Sequence, residues 1–455
     1  MRLERSQPLP RLGKANSYVH ATLSIASFDR TARINAKIVR PEAYRQLFRA
    51  VTSHERTIAR GSGLSYSAAS FDCEAFSIDL TRFDRILGFD VSNSQVRVEP
   101  GVQIGALALY LARLGRQLPA LPGYPTVTVG GCVAFDVHGK SQFHSGNFGE
   151  WVEALTLFHR DHGELECSRS TNAELFELTI GGMGLTGIVT GLTLRTSALS
   201  APNVEIHRLP VANLEHAATL MQERASSAAC IYSWNDLNRR NARFGAGTVY
   251  VEQFVDRPCV RPAPRARVSP CAELPLPSWN RWTTRLALGV YGRLQANDVT
   301  QVVTLHEAMF PIHGKELYYV AFGHKGFREY QLIVPFEHWT GFVAALQALL
   351  SRSPVPITLG SLKLFRGRQK FMRFSAPGIC LALDVPASAR ALALFDDLDR
   401  LALAHGATVN LSKDSRLGSA TCERLFPDYE NFRSELLRFD PKRRCQSRLR
   451  ELTGV

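Results

Sequence analysis

Thr57-Ile58-Ala59-Arg60-Gly61-Ser62-Gly63-Leu64-Ser65-Tyr66 decides how the chain is read, because a short strand-like stretch runs directly into a turn of small residues. Glycine tolerates the backbone angles of a tight turn, and successive exposed N–H groups in such a turn form a concave nest for an anion. Ser65 adds a hydroxyl donor. Taken alone, the turn fits a pyrophosphate cradle and a ligand-free β-turn equally well, so the flanking sequence has to choose.

Outward from the turn, Pro41 to Thr52 has helical spacing, Phe76 to Asp79 and Gln95 to Val98 have strand character, and Ile104 to Leu114 returns to helical spacing. This predicts a mixed layer structure of helices and strands. From Thr126 to Thr196 the chain is dense in glycine, with strand-like pieces at Leu155 to Arg160 and Ile188 to Leu194, which suggests backbone lying close to a ligand. After about Ala201 a second domain is predicted, with strands at Thr248 to Phe254, Tyr330 to Val334 and Ile379 to Val385 and helices at Trp339 to Leu350 and Ala389 to Ala404. Between Asp256 and Ser278 six prolines interrupt a segment poor in apolar residues, read as a mobile loop, either a surface linker or a lid.

A second glycine pattern, Gly182-Met183-Gly184-Leu185-Thr186-Gly187, matches G-x-G-x-x-G letter for letter. A nicotinamide-binding fingerprint must leave a strand and open a helix, whereas this one leaves the helix-like Ala173 to Leu178 and opens a strand. It therefore lacks the helix N-terminus that would hold the phosphates.

With 455 residues and 45% hydrophobic content, the chain is long enough for two or three domains. Nine cysteines without a C-x-x-C pair argue against a zinc site or a disulfide framework, although Cys259 and Cys271 flank one loop and could pair under oxidation. No metal is expected. Residues 1–30 lack the apolar run of a secretory signal, and no stretch is long enough to span a bilayer, so the expected location is cytoplasmic or peripheral to the inner membrane. The formal charge of +13 favours acidic partners such as nucleic acid, an anionic lipid surface or a phosphorylated substrate. No nucleic-acid-binding signature accompanies it, so nucleic acid is not an expected partner. The cluster Lys442, Arg443, Arg444, Arg448 and Arg450 reads as a solvated basic surface.

Downstream of the first turn come Leu121-Pro122-Gly123, Val127-Thr128-Val129-Gly130-Gly131, Asp136-Val137-His138-Gly139-Lys140, Ser145-Gly146-Asn147-Phe148-Gly149 and the Gly181 to Gly187 run. With these residues the chain resembles the FAD-linked oxidases of the vanillyl-alcohol oxidase and p-cresol methylhydroxylase (PCMH) fold. Further marks, Tyr330-Gln331, Lys363-Leu364-Phe365 and Ser412-Lys413-Asp414-Ser415-Arg416, make it similar to the decaprenylphosphoryl-β-D-ribose 2-oxidase family within that fold. Those enzymes are the flavin half of an enzyme pair that epimerises a lipid-linked ribose to arabinose.

The resemblance implies an α+β architecture: an FAD-binding domain over residues 1–200, a substrate-binding cap domain over 201–404 built on an antiparallel sheet flanked by helices, and a C-terminal segment, 405–455, returning to the flavin site. It implies that Arg60, Gly61, Ser62, Gly63, Leu64, Ser65 and Tyr66 hold FAD together with Gly123, Thr128, Val129, Gly130, Gly131, Phe135, Asp136, Val137, His138, Val189 and Asn410. His138 and Lys413 are the implied catalytic groups, and Gln331, Lys363, Lys413 and Tyr66 the implied substrate contacts. A positioned His or Lys can accept or steer the hydroxyl proton while hydride leaves for the flavin, and a fixed lysine can offset developing negative charge. Many relatives bond FAD covalently through a histidine in the first turn; Leu64 stands there, so FAD is expected without a covalent bond.

Two positions depart from the family pattern. Ala382 stands where mycobacterial relatives carry a cysteine, with Cys380 two residues earlier on the same strand face, and Met309 replaces a tyrosine near the substrate mouth. Trp234 matches a family tryptophan and is read as an interior aromatic. The implied reaction is oxidation of a ribose 2-hydroxyl on a polyprenyl phosphate, with a separate NADH-dependent keto-reductase as partner and an anionic membrane face in contact. The rival reading is oxidation of a soluble aldonolactone, alditol or other sugar alcohol.

Overall fold

The computed structural model describes residues 21–259, 272, 274–295, 297–414 and 416–455. The N-terminal half is built on two sheets. Ala21–Ala26, Arg33–Val39, Phe76–Asp79 and Thr57–Arg60 form a four-stranded sheet, in which Phe76–Asp79 runs parallel to both Arg33–Val39 and Thr57–Arg60. Ile86–Asp90, Gln95–Val98, Ile188–Arg195, Val152–His159 and Gly163–Ser168 form an antiparallel five-stranded sheet. Apolar alternation sets the inner face: Val96 and Val98 are fully buried, while Arg97 between them is exposed.

The glycine pattern at 182–187 connects the helix Ala173–Thr179 to the strand Ile188–Arg195, and no helix follows it. The middle glycine pair instead begins a helix: Thr128 caps Val129–Ala134 by accepting a hydrogen bond from the Gly131 N–H, 3.3 Å away.

An eight-stranded antiparallel sheet takes its strands from Asn203 to Val409, in the order Val299–Thr304, Asn203–Val211, Ala246–Val255, Cys230–Asp236, Leu359–Phe365, Gly378–Pro386, Phe327–Val334 and Thr408–Val409. The helices Leu214–Arg224, Trp339–Arg352 and Ala389–Ala404 cover one face, burying Met221, Phe342, Leu346, Phe395 and Leu398. Strand periodicity sends alternate residues to that helical layer. Tyr330, for example, packs edge-on against Phe395 and donates its hydroxyl to Asp399, 2.8 Å away. The residues between them project from the opposite face, where the cavity lies.

After the last strand of the sheet, the chain turns back to the first sheet. Arg444 accepts a backbone hydrogen bond from Thr57 N–H, and Gln446 N–H donates to Thr57. This segment corrects the reading of the basic cluster as solvated: Arg450 has no exposed surface and is bonded to the equally buried Asp440 at 3.1 Å. A helix beginning at Arg448 turns its third residue inward, and sequence spacing alone does not show that a carboxylate ten residues earlier awaits it. Residues 260–271 and 273, which hold much of the proline-rich loop and Cys271, lie outside the described residues, as does Ser415.

Candidate active site

A cavity of about 360 Å³ runs between the N-terminal sheets and the free face of the eight-stranded sheet. Its N-terminal wall is rich in glycine. Gly61, Ser62, Gly63, Leu64, Ser65 and Tyr66 line it, together with Gly123, Thr128, Gly130, Gly131, Phe135, Asp136, Val137, His138 and Val189. The 182–187 run contributes Met183, Gly184 and Gly187.

The close packing at this wall explains the glycines. A Cβ on Gly61 would stand 2.2 Å from Thr128 Oγ1, and Gly63 has φ +72°, a conformation that side chains with a Cβ resist. Ser62 Oγ is buried in this wall with no hydrogen-bond partner among the described residues. An unmet hydroxyl beside a glycine cradle fits the phosphate portion of a dinucleotide. Gly61→Val is expected to dislodge Thr128 from its cap and weaken flavin binding at least tenfold, read by titrating apoprotein with FAD; unchanged affinity would show that this contact does not shape the cradle.

Two residues expected at the cofactor are not on the cavity lining, although Arg60 bonds to Ser70, which is. Arg60 follows Ala59 on the strand and, by alternation, Ala59 reaches the cavity while the Arg60 guanidinium donates to Ser70 Oγ at 2.8 Å. Val129 turns its side chain into the hydrophobic core, leaving Gly130 and Gly131 on the lining. Asp136 reaches the cavity wall, but its carboxylate is engaged by Gly149 N–H at 2.7 Å and Asn147 Nδ2 at 3.2 Å.

The opposite wall is assembled in three rungs across the sheet. The first sets Tyr232, Lys363 and Cys380 in register, the second Trp234, Ser361, Ala382 and Gln331, and the third Leu359, Asp384 and Glu329. All except Cys380 line the cavity, as do Asn410 and Lys413 from the segment after the last strand. Trp234 is thus a wall residue as well as a packing residue. Ala382 leaves space at the centre of the second rung.

Polar order in this wall starts from Asn410. Its Oδ1 accepts from Ser412 N–H and Oγ–H, so its amide nitrogen faces Gln331 and donates to Oε1. His138 Nε2 lies 3.4 Å from the same oxygen, which places the ring proton on Nε2. Burial first, and then the charges of Lys363 and Lys413, push the His138 pKa well below the ordinary imidazole value. His138 is therefore neutral in the neutral pH range.

Sequence reading missed the carboxyl pair of the third rung. Glu329 and Asp384 are cross-strand partners, and burial first, then Glu329, push the Asp384 pKa well above the usual carboxylate range. Asp384 keeps its proton, shares a hydrogen bond with Glu329 and accepts one from Tyr318 at 2.8 Å. The signal in the sequence was Asp384 on an otherwise apolar strand, with Glu329 beside Arg328 and Gln331 on another, but pairing them required the register.

Lys413 closes this group, with Nζ 3.3 Å from Glu329 Oε2 and 3.6 Å from the centre of the Tyr66 ring. Lys363 differs: burial lowers its pKa, and among the described residues no hydrogen bond or ion pair holds its ammonium. An anion in the cavity would favour its charged form.

The donor set and glycine cradle fit FAD: Gly61, Ser62 and Gly63 would hold its phosphates. Bound FAD supplies the hydride acceptor. The chain's own residues do the rest: Gln331 orients neutral His138, Glu329 and Tyr66 fix Lys413, and Asp384 and Glu329 offer both a donor and an acceptor to a hydroxylated ligand. Leu64, at the first turn, has no nucleophilic atom with which to bond a flavin.

The chain has relatives with matching chemistry. Residues 36–168 match the FAD binding domain family. Over 89% of this chain and 92% of the relative, it is 26% identical to decaprenylphosphoryl-beta-D-ribose oxidase of Mycolicibacterium smegmatis. It is 33% identical to L-gulonolactone oxidase of Mus musculus over 29% of this chain and 30% of that protein. It is 24% identical to a putative D-arabinono-1,4-lactone oxidase of Neurospora crassa over 34% of this chain and 29% of that protein. Among the described residues no helix is long and apolar enough to cross a membrane. The cradle, the polar wall and these likenesses together make the protein an FAD-dependent oxidoreductase of α+β fold whose N-terminal part is a PCMH-type FAD-binding domain.

Proposed function

We propose that the protein oxidises the ribose 2-hydroxyl of a polyprenylphosphoryl-β-D-ribose to the 2-keto sugar, the first half of an epimerisation to an arabinose donor. The observation that carries this reading is a second cavity of about 500 Å³ that shares Trp234, Ile312 and Leu359 with the first. Most of its exposed wall is apolar, with Pro210, Val211, Ala287, Leu288 and Tyr291 contributing, and Asp236, Arg239, Arg243 and Lys315 also line it. A free sugar or lactone has no group to fill such a space, whereas a prenyl chain does.

Charge supports the same order of parts. Lys315 stands with Nζ 5.7 Å from the Trp234 ring, where the two cavities adjoin, and Lys363 lies in the first cavity with no ion pair among the described residues. A sugar in the first cavity, a phosphate between these lysines and a chain in the second would satisfy both charge and hydrophobicity. The oxidised sugar would then pass to a separate nicotinamide-dependent reductase.

The test is incubation of purified holoenzyme with a short-chain prenylphosphoryl ribose or with soluble aldonolactones and alditols, with products read by mass spectrometry. The expected product is the prenylphosphoryl sugar lacking two hydrogens. Turnover of the soluble compounds alone would replace this reading with that of a soluble sugar oxidase.

A further inference from the structure

Most helices of this chain hide their apolar residues, but Arg281–Leu294 presents apolar residues to solvent. Trp282, Leu286 and Leu294 are 81%, 70% and 71% exposed, and Val290 is 47% exposed. Spaced four residues apart, they form one band about 120° wide along the helix. The other side of the same helix, with Ala287, Leu288 and Tyr291, lines the second cavity.

The helix is well defined. Asn280 caps it through a reciprocal capping box with Thr283, and Thr284 is buried. The band lies on a capped helix that also contributes Ala287, Leu288 and Tyr291 to the second cavity. Leu276 and Leu317 are also exposed, at 75% and 68%, and the Trp279 indole just before the helix donates to the Tyr318 carbonyl at 3.1 Å. Arg281, Arg285 and Arg293 are exposed on the helix, which contains no Asp or Glu.

We propose that this face docks on the surface of an anionic lipid bilayer, with Trp282, Leu286, Val290 and Leu294 among the upper acyl chains and the three arginines on lipid phosphates. An exposed apolar band on a helix whose only charged residues are arginines is the arrangement of a helix lying in a membrane interface. A second copy of the chain is a poorer occupant, because a two-fold contact through this helix would bring arginines against arginines with no acid on the helix to neutralise them. Docking would place the helix, and the apolar cavity beneath it, at the level where a lipid-linked substrate presents its chain.

This inference does not depend on the proposed substrate, since vesicles without any sugar phosphate test it. Full-length holoenzyme is sedimented with vesicles of phosphatidylglycerol and phosphatidylcholine, and with phosphatidylcholine alone. The expected result is at least tenfold tighter binding to the anionic vesicles, weakened by salt, and at least a tenfold loss of that binding in the Trp282→Asp/Leu286→Asp variant with unchanged flavin absorbance and circular dichroism. Replacing Arg281, Arg285 and Arg293 by glutamine is expected to remove the anionic preference and most of the salt dependence. Wild-type protein that stays in solution, or a double variant that binds as well as wild type, would overturn the proposal. So would a dimer that the double variant abolishes, in the absence of vesicle binding. A protein that docks but does not oxidise prenylphosphoryl ribose would refute the substrate reading and leave this one standing.

Discussion

Arg450→Met is expected to destabilise the protein by about 3–5 kcal/mol, the usual result of removing one partner from a buried ion pair. Arg450 and Asp440 are both without exposed surface, and the guanidinium also donates to the carbonyls of Cys445 and Val455. Asp440 in turn accepts the backbone N–H groups of Arg444 and Cys445, so the pair holds the returning chain against Thr57. Methionine would leave the carboxylate buried without its cation. His159 and Cys445 also lie close to Asp440, with ligand atoms within 4.8 Å of one another, but Arg450 already supplies the positive charge there.

Urea denaturation followed by circular dichroism is the check, and a loss below about 1 kcal/mol would show that the pair is not a stabilising clamp. Arg450→Met combined with Asp440→Asn should recover part of the loss, since the amide keeps an acceptor and drops the stranded charge. Asp440 also carries a pH signature. Burial raises its pKa, but nearby His159 at 3.7 Å, hydrogen bonds from the Arg444 and Cys445 backbones and the charge of Arg450 bring it down to about 2 from an ordinary 3.8. A depressed carboxylate stabilises the fold fully above its unfolded value and loses that contribution as pH falls through the folded value. About 2 kcal/mol should therefore disappear between roughly pH 4 and pH 2 in wild type, and not in Asp440→Asn.

Lys413→Met is expected to slow anaerobic reduction of the flavin by about 10²–10³-fold while FAD remains bound. Its ammonium is positioned by Glu329 and the face of Tyr66, in the cavity that neutral His138 lines from the opposite wall. Such a fixed cation can steer the hydroxyl of a bound sugar and offset negative charge as hydride leaves. Single-turnover kinetics separate this from binding: an effect confined to substrate affinity would make Lys413 a binding residue only, and an unchanged rate with an unchanged flavin spectrum would remove it from the chemistry.

Local signals carried much of the fold. Thr57–Arg60 followed by the small-residue turn, the strands Phe76–Asp79 and Gln95–Val98, and the helix Ala389–Ala404 all have strong periodicity or clear punctuation. Arg60 and Val129 were drawn into the cofactor wall by their neighbours, because adjacency in a motif does not state which way each side chain points. The Glu329 and Asp384 pair needed strand register, which depends on how distant segments align. The burial of Arg450 needed a partner from another turn of the chain. The outward apolar band of Arg281–Leu294 has ordinary helical spacing, and only the placement of the sheet behind it shows which face is left to solvent.

The most direct measurement is the anaerobic absorbance of the purified holoenzyme, recorded by rapid mixing with prenylphosphoryl ribose carrying either hydrogen or deuterium at C2. The expected result is loss of the flavin band near about 450 nm, several-fold slower with deuterium, because the bond to C2 breaks as hydride moves to FAD. A flavin band that persists with this substrate while soluble lactones bleach it would contradict the account.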